Sequence, residues 1–344
     1  MSQIPVTEGH TDLLTDVARR RILGERRVLS RVHVPKLRAG GVDLQLCVIG
    51  GDFPLFSTDN TDTDYLGEAL HLVSAFYAEL DEDAAAGERI VYPVLNAADV
   101  QAASAERIGF VLHTEGVGLL GDSIERLRVF FQLGLRSLGL TWNGTNHAAD
   151  GCTCERGRGL SDFGAALVEE AQRLHMLLDV SHLSDAGVDD VLALASGPIV
   201  ASHSNGRGGH DHPRNLRDEH LQGIAESGGT VGLCAYPPLV SAEQPRIEQM
   251  LAHVEYLCET VGVEHVAFGG DFIDFLDDSW YESAPVRPFK QELSRPFPPG
   301  LTTVAEIPTL VEAMAAAGYR DEEVRAIMGG NLRRVLAAVL PGGS

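Results

Sequence analysis

Eight short β-rich segments recur along the 344-residue chain, and amphipathic helical patterns separate them. This alternation predicts parallel strands joined by helices, because a helical crossover is the usual link between parallel neighbours. Eight such units in series favour a single (β/α)8 barrel, the TIM-barrel architecture, over a doubly wound sheet, which is the alternative. The predicted strands are Ile4–His10, Val42–Ile49, Gly109–Glu115, Ser137–Trp142, Leu177–His182, Pro198–Ser204, Thr230–Ala235 and His265–Asp271.

The chain contains no internal repeat and no low-complexity linker, so we expect residues 1–344 to form one barrel domain. Residues 272–300 are rich in Asp, Pro and aromatic side chains and lack a regular period. They predict a long loop after the eighth strand, where a barrel places active-site or interface loops. Helices are predicted from there to about residue 340, and Ser161, Ser184 and Thr303 are placed as helix N-caps.

Charge and hydropathy exclude several classes of partner. The chain has 49 acidic and 27 basic residues, and its net charge of −22 argues against nucleic-acid binding. No apolar run approaches the roughly 20 residues that cross a bilayer, so we expect no membrane partner. We expect no targeting segment, and the five scattered cysteines do not form the pattern of a disulfide framework. These features predict a cytoplasmic protein.

Metal-ligand and acid–base side chains stand at the ends of five predicted strands. The carboxyl ends of barrel strands open onto one face, so we expect these side chains to meet there. Imidazole and carboxylate suit zinc or another first-row divalent metal, and three of each suit two ions that share a bridging carboxylate. Taken singly, each histidine could pack in the core and each acidic residue could cap a helix. Their coincidence favours a metal centre formed by His10, Asp12, Glu115, His182, His203 and Asp271.

Seven short motifs run in order through nearly the whole chain. They are G-H-T-D at 9–12, T-E-G at 114–116, L-D-V-S-H-L-S at 178–184, A-S-H-S at 201–204, H-P-R-N-L-R-D at 212–218, G-G-D-F at 269–272 and G-G-N-L-R-R-V-L at 329–336. Together they resemble the membrane dipeptidase, or renal dipeptidase, family of zinc metallopeptidases. The resemblance implies an amidohydrolase-type barrel with two zinc ions per chain, other divalent metals being the alternative. It also implies cleavage of small dipeptide-like substrates with a free C-terminal carboxylate, and a homodimer.

The same resemblance assigns the metal ligands position by position. His10 and Asp12 correspond to ligands of the first ion, and His182 and His203 to ligands of the second. Glu115 corresponds to the carboxylate that bridges the two ions.

Two further positions of the family carry the reaction and the substrate. Asp271 corresponds to the proton-transfer aspartate at the eighth strand, where it could act as a general base and then as an acid. Arg214 corresponds to the arginine that holds the substrate carboxylate, a role that suits the planar guanidinium fork.

One position departs from the renal enzyme, whose fourth strand ends in a histidine thought to contact the tetrahedral intermediate. This chain has Trp142 and Asn143 there, as bacterial relatives often do. An indole donates one hydrogen bond but cannot take up a proton near neutral pH. Oxyanion stabilisation would then rest on the metals, on Asn143 or on His147, although we expect His147 to be a loop residue. Trp142 and Asn143 are candidate substrate-binding residues.

Two other functions fit the same residues. The first keeps the metal centre but hydrolyses a lactone, ester, cyclic amide or natural-product conjugate, and the second is a non-catalytic barrel that binds a metal or ligand. His113 faces the barrel interior, where it either supports a metal ligand or packs in the core. His210 and His212 are predicted to lie in a loop or at the substrate rim.

Overall fold

The computed structural model describes residues 4–53, 64–276 and 296–342. Nine parallel strands lie in these ranges, and eight of them close into a barrel in which each strand pairs with two barrel neighbours. The strands are β1 (Val6–Glu8), β2 (Val42–Gly51), β3 (Val91–Pro93), β4 (Ile108–Glu115), β5 (Leu135–Gly139), β6 (Leu177–Asp179), β7 (Ile199–Ala201), β8 (Thr230–Leu233) and β9 (Val266–Phe268).

The barrel order is β1-β2-β4-β5-β6-β7-β8-β9, and Glu8 of β1 pairs with Phe268 of β9 to close the ring. Each barrel strand falls on one of the eight predicted segments, so the (β/α)8 prediction is confirmed and the doubly wound alternative is wrong. β3 is the one described strand that the sequence did not predict. It pairs with the first residues of β4, and its sequence Val-Tyr-Pro ends in Pro93, a residue that argues against a strand when only the sequence is read.

Helices surround the barrel. They are α1 (Leu13–Ile22), α2 (Val34–Gly40), α3 (Tyr65–Ala85), α4 (Ala97–Ala102), α5 (Glu125–Gln132), α6 (Asp162–Arg173), α7 (Asp185–Leu194), α8 (Asp218–Glu226), α9 (Pro237–Val240), α10 (Ile247–Val261), α11 (Ile307–Ala316), α12 (Asp321–Arg325) and α13 (Asn331–Val339).

Two of the three predicted N-caps form. The hydroxyl groups of Ser161 and Ser184 accept hydrogen bonds from backbone N–H groups in the first turns of α6 and α7. Thr303 instead precedes a short 3-10 turn, and its side chain makes no capping hydrogen bond, so that prediction is wrong. The reason is that α11 begins four residues later, at Ile307, with a proline in its first turn.

The floor of the barrel is apolar. Leu46, Val111 and Val200 come from three different barrel strands and belong to one buried cluster, which places them inside the ring. Leu332 and Val335 of α13 join the same cluster and cover the end at which the strands begin. Burial of this floor leaves the opposite, carboxyl end of the strands for polar side chains.

The predicted loop over 272–300 is described only at its two ends. Residues 272–276 and 296–300 form neither helix nor strand, and residues 277–295 lie outside the described part of the chain. Within the described ranges, no helix combines the length and the apolar character that crossing a membrane requires.

Candidate metal centre

The predicted site residues follow the carboxyl ends of their strands. Glu115 is the last residue of β4, and His203 comes two residues after β7. His182 and Asp271 each come three residues after their strands, and both adopt a positive φ, of 70° and 54°. A positive φ is strained for a side chain other than glycine, and such residues cluster at functional sites.

The carboxylate of Glu115 lies at the centre of the cluster. Its Oε1 atom is 2.7 Å from Nε2 of His182, 3.4 Å from Nε2 of His203 and 3.6 Å from Nε2 of His10. The rings of His10 and His203 also pack against each other, with centroids 3.8 Å apart. One carboxylate therefore contacts all three imidazoles that the sequence selected.

A second group of ligand atoms lies on the side of β1. Nε2 of His10 is 3.5 Å from Oδ2 of Asp12 and 3.8 Å from Oδ1 of Asp271. Two overlapping sets, His10 with Glu115 and His203, and His10 with Asp12 and Asp271, each place their ligand atoms within 4.8 Å of one another. The six predicted residues thus form one continuous cluster.

The electrostatics of the cluster suit a bound cation. Burial alone lowers the pKa of His10, but the carboxylates of Glu115, Asp12 and Asp271 outweigh it and raise that pKa to about 10. Burial raises the pKa of Glu115 well above its usual value. Both ring nitrogens of His10 and Oδ1 of Asp12 are buried without a hydrogen-bond partner. Such atoms are costly to bury unless something binds them, and a divalent metal would do so.

Two of the histidines have partners on the ring nitrogen that faces away from Glu115. Nδ1 of His182 lies 2.8 Å from Oδ1 of Asn143, and Nδ1 of His203 lies 2.8 Å from the hydroxyl of Ser202. The Ser202 hydroxyl in turn donates to the carboxylate of Asp179. Contacts of this kind hold the ring and leave Nε2 free to bind a metal.

His113 lies in the layer beneath the cluster. Its Nδ1 atom is 2.9 Å from the hydroxyl of Ser137, and its Nε2 atom is 3.4 Å from Oδ2 of Asp179. Burial lowers the pKa of His113 to about 4, so the ring is neutral. We predicted that His113 either supports a metal ligand or packs in the core. Its contact with Asp179, which also accepts the Ser202 hydroxyl beside His203, favours the supporting role.

Arg214 is buried beside the same cluster, with 5% of its surface exposed. Its guanidinium donates to the hydroxyl of Ser204 at 2.6 Å and to the backbone oxygen of His203 at 2.9 Å. These two contacts aim a buried cation at the cluster.

Trp142 and Asn143 lie next to His182. The Trp142 ring centroid is 6.4 Å from that of His182 and 5.1 Å from that of Phe53. Asn143 is buried, and its side-chain oxygen is occupied by His182. In the structure, Asn143 therefore contacts a histidine of the cluster. Its predicted contact with substrate stays a prediction.

The three loop histidines belong to neither set of candidate ligand atoms. His147 is exposed, and its backbone oxygen accepts a hydrogen bond from Ser161. The rings of His210 and His212 stack with centroids 6.4 Å apart, and Nδ1 of His212 accepts the backbone N–H of Arg214. These positions agree with the predicted loop and rim placement.

Sequence reasoning missed three carboxylates near the centre, the first of which is Asp179, with its contacts to Ser202 and His113. Glu8 is buried on β1 and accepts the backbone N–H of Gly270 at 2.6 Å, next to Asp271. Asp52 directly follows β2 and bonds to the segment that contains Trp142. Its position after a predicted strand, in G-G-D at 50–52, was a signal of the same kind as the strand ends that were selected.

Comparison with known proteins gives a match over almost the whole chain. The model of the membrane dipeptidase family, peptidase family M19, matches residues 1–340. Dipeptidase aclJ of Aspergillus oryzae is 26% identical over 362 residues, covering 98% of this chain and 79% of that protein.

Two solved structures share the architecture along their full lengths. The dipeptidase AC, an M19 metallopeptidase, is 27% identical with a TM-score of 0.81, covering 98% of this chain and 99% of the other. A metallopeptidase from Rhodobacter sphaeroides, solved with a phosphinate mimic of the dipeptide L-Ala-D-Ala, is 26% identical with a TM-score of 0.80. That match covers 98% of this chain and 100% of the other.

Proposed function

The chain belongs to the membrane dipeptidase family of metallopeptidases, and we propose that it cleaves dipeptides with a free C-terminal carboxylate at a pair of zinc ions. The single observation that carries this proposal is the position of Glu115, whose Oε1 atom contacts imidazoles on both sides of the cluster. A carboxylate in that position is suited to be shared by two ions.

The residues present fit such a centre. His10 and Asp12 would hold one ion, and His182 and His203 the other, with Glu115 between them. Imidazole and carboxylate ligands suit zinc, although other divalent metals bind the same donor types. Two ions bound here would lower the pKa of a water molecule and polarise the scissile carbonyl group.

Asp271 would move the proton. Its Oδ1 atom lies 3.8 Å from Nε2 of His10, and burial raises the pKa of its carboxyl group above its usual value. A carboxylate with a raised pKa accepts a proton from the attacking water more readily than an ordinary aspartate. Asp271 would then give that proton to the departing amine as the C–N bond breaks, so the carboxylate is regenerated.

Arg214 would hold the substrate. Its guanidinium is buried and already fixed by Ser204 and by the backbone of His203, so its remaining N–H groups are oriented in advance. A planar fork of this kind pairs with a terminal carboxylate through two parallel hydrogen bonds. This contact would select dipeptides with a free C-terminus.

A panel of dipeptides, including L-Ala-D-Ala, tests the proposal directly. The zinc-loaded protein is expected to cleave members of the panel, and the same dipeptides with an amidated C-terminus are expected to resist cleavage. Cleavage of amidated and free dipeptides at equal rates would contradict the role of the carboxylate.

The second candidate function is hydrolysis of a lactone, ester, cyclic amide or natural-product conjugate on the same centre. The observation that favours it is Trp142, which stands where the renal enzyme has a histidine and packs near His182. Including lactones and cyclic amides in the panel separates the two candidates. Cleavage of these compounds, with every dipeptide intact, would replace the first proposal by the second.

The cellular location, the oligomeric state and the number of domains also remain proposals. All five cysteines are free, which supports a reducing compartment and the cytoplasmic location. The homodimer rests on the family resemblance and is tested by light scattering. A single barrel domain over residues 1–344 predicts one cooperative unfolding transition.

A further inference from the structure

Asp52 connects the end of β2 to two neighbouring loops of the site. Its Oδ1 atom accepts the backbone N–H of Gly118 at 2.7 Å. Its Oδ2 atom accepts the backbone N–H of Trp142 at 3.1 Å and the side-chain amide of Asn146 at 2.7 Å. The two oxygens of one carboxylate therefore hold the segment after β4 and the segment after β5.

The backbone of Asp52 is tied to the metal centre itself. Its N–H group donates to the backbone oxygen of Glu115 at 3.2 Å. The close approach depends on glycine, because a Cβ atom added to Gly116 would lie 2.3 Å from the carboxyl group of Asp52. Gly116 also has a φ of 106°, a conformation that favours glycine.

The segment that Asp52 holds carries two residues of the site. The Trp142 ring lies 5.1 Å from that of Phe53 and 6.4 Å from that of His182, measured between centroids, so Trp142 and Phe53 form an apolar wall close to a histidine of the centre. The next residue, Asn143, supports Nδ1 of His182. A shift of this segment would therefore move the wall and the support of a histidine together.

We propose that Asp52 is a positioning residue that fixes the segment 142–146 against the metal centre, so that Trp142 and Phe53 select substrates with an apolar side chain. The part that concerns substrate rests on the proposed function. The part that concerns Trp142, Asn143 and His182 rests only on the contacts of the chain itself.

The hydrogen-bond donors around the side chain of Asp52 require a carboxylate at this residue. Among the residues that the structure describes, the side chain of Asp52 accepts hydrogen bonds from three N–H donors, and a carboxylate offers acceptors alone. In Asp52→Asn one oxygen becomes an NH2 group, which meets N–H donors and cannot bind them. Asp52→Ala removes both acceptors without introducing a new donor.

The test uses Trp142 as its own reporter. The chain has two tryptophans, so a Trp280→Phe background leaves Trp142 as the only source of tryptophan emission. In this background, Asp52→Asn and Asp52→Ala are expected to shift the emission to longer wavelength and to make it easier to quench with acrylamide. Zinc affinity is expected to fall by roughly tenfold or more, as when outer partners of metal ligands are lost.

Asp43→Asn is the matched control. Asp43 is a buried aspartate at the opposite end of the same strand, where it pairs with Arg333. This variant is expected to lower the melting temperature while it leaves the emission of Trp142 and the zinc affinity unchanged. A melting curve for each variant identifies the temperature at which all of them are folded.

The substrate arm compares dipeptides with large apolar and with small side chains. The parent is expected to favour the apolar members through a lower KM, and both Asp52 variants are expected to lose most of that preference. Parental emission and zinc affinity in the Asp52 variants would overturn the proposal, as would equal changes in Asp43→Asn. If the parent cleaves no dipeptide, the proposed function fails, and the emission and zinc measurements still decide the role of Asp52.

Discussion

The side-chain oxygen of Asn143 lies 2.8 Å from Nδ1 of His182, so a residue of the segment after β5 supports a histidine of the segment after β6. Nε2 of the same histidine lies 2.7 Å from Oε1 of Glu115. Asn143 therefore fixes the orientation in which His182 presents its other nitrogen to the centre.

Replacing Asn143 tests this relationship. Asn143→Ala is expected to weaken zinc binding by roughly 10- to 100-fold, because the His182 ring loses the acceptor that orients it. The measurement is a competition titration against a coloured chelator. Asn331→Ala is the matched control, since Asn331 is a buried asparagine whose side chain binds backbone oxygens at the other end of the barrel. Equal zinc affinity in Asn143→Ala and the parent would contradict the role of Asn143.

Arg214 is expected to act on substrate binding. Arg214→Met should raise KM for dipeptides by roughly 30-fold or more, because the substrate carboxylate loses its buried charged partner. Arg214→Lys should recover part of the loss, since it keeps the charge but not the planar fork. Steady-state kinetics measure both. Arg207→Met serves as the control, because Arg207 pairs with Asp185 on the rim. An unchanged KM in Arg214→Met would favour the lactone-type alternative.

Asp271 is expected to act on the chemical step. Asp271→Asn should lower kcat by about 10²- to 10⁴-fold, because an amide cannot accept the proton of the attacking water. Metal content, measured by atomic emission, should stay close to that of the parent. A variant as active as the parent would remove the proton-transfer role from Asp271 and leave the assignment of the metal ligands untouched.

Zinc affinity is expected to rise with pH. Without metal, the neighbouring carboxylates raise the pKa of His10 to about 10, so its ring carries a proton at neutral pH. Only the neutral ring binds a metal, so binding must release that proton. Affinity should therefore increase as pH approaches the raised pKa of His10 and decrease towards acid. Calorimetry in two buffers with different ionisation enthalpies measures the release, and binding without any proton release would contradict this expectation.

The architecture could be predicted from sequence because a barrel strand and its helix each leave a local period. The candidate metal ligands could also be recognised in the sequence, because His10, Glu115 and His203 stand at or just beyond the ends of strands. β3 was missed because its three residues end in Pro93, and a proline argues against a strand in the sequence. The supporting contacts were also hidden, because the bonds from Asn143 to His182 and from Asp52 to Trp142 join residues 39 and 90 positions apart. Those pairs meet only when β2, β4, β5 and β6 pair side by side in the barrel.

Zinc titration of the metal-free protein, with hydrolysis of a free dipeptide as the readout, tests the central claim most directly. The cluster around Glu115 predicts that activity rises with added zinc and reaches its maximum at about two equivalents per chain. Uptake of two equivalents by a protein that leaves every dipeptide intact would contradict the claim.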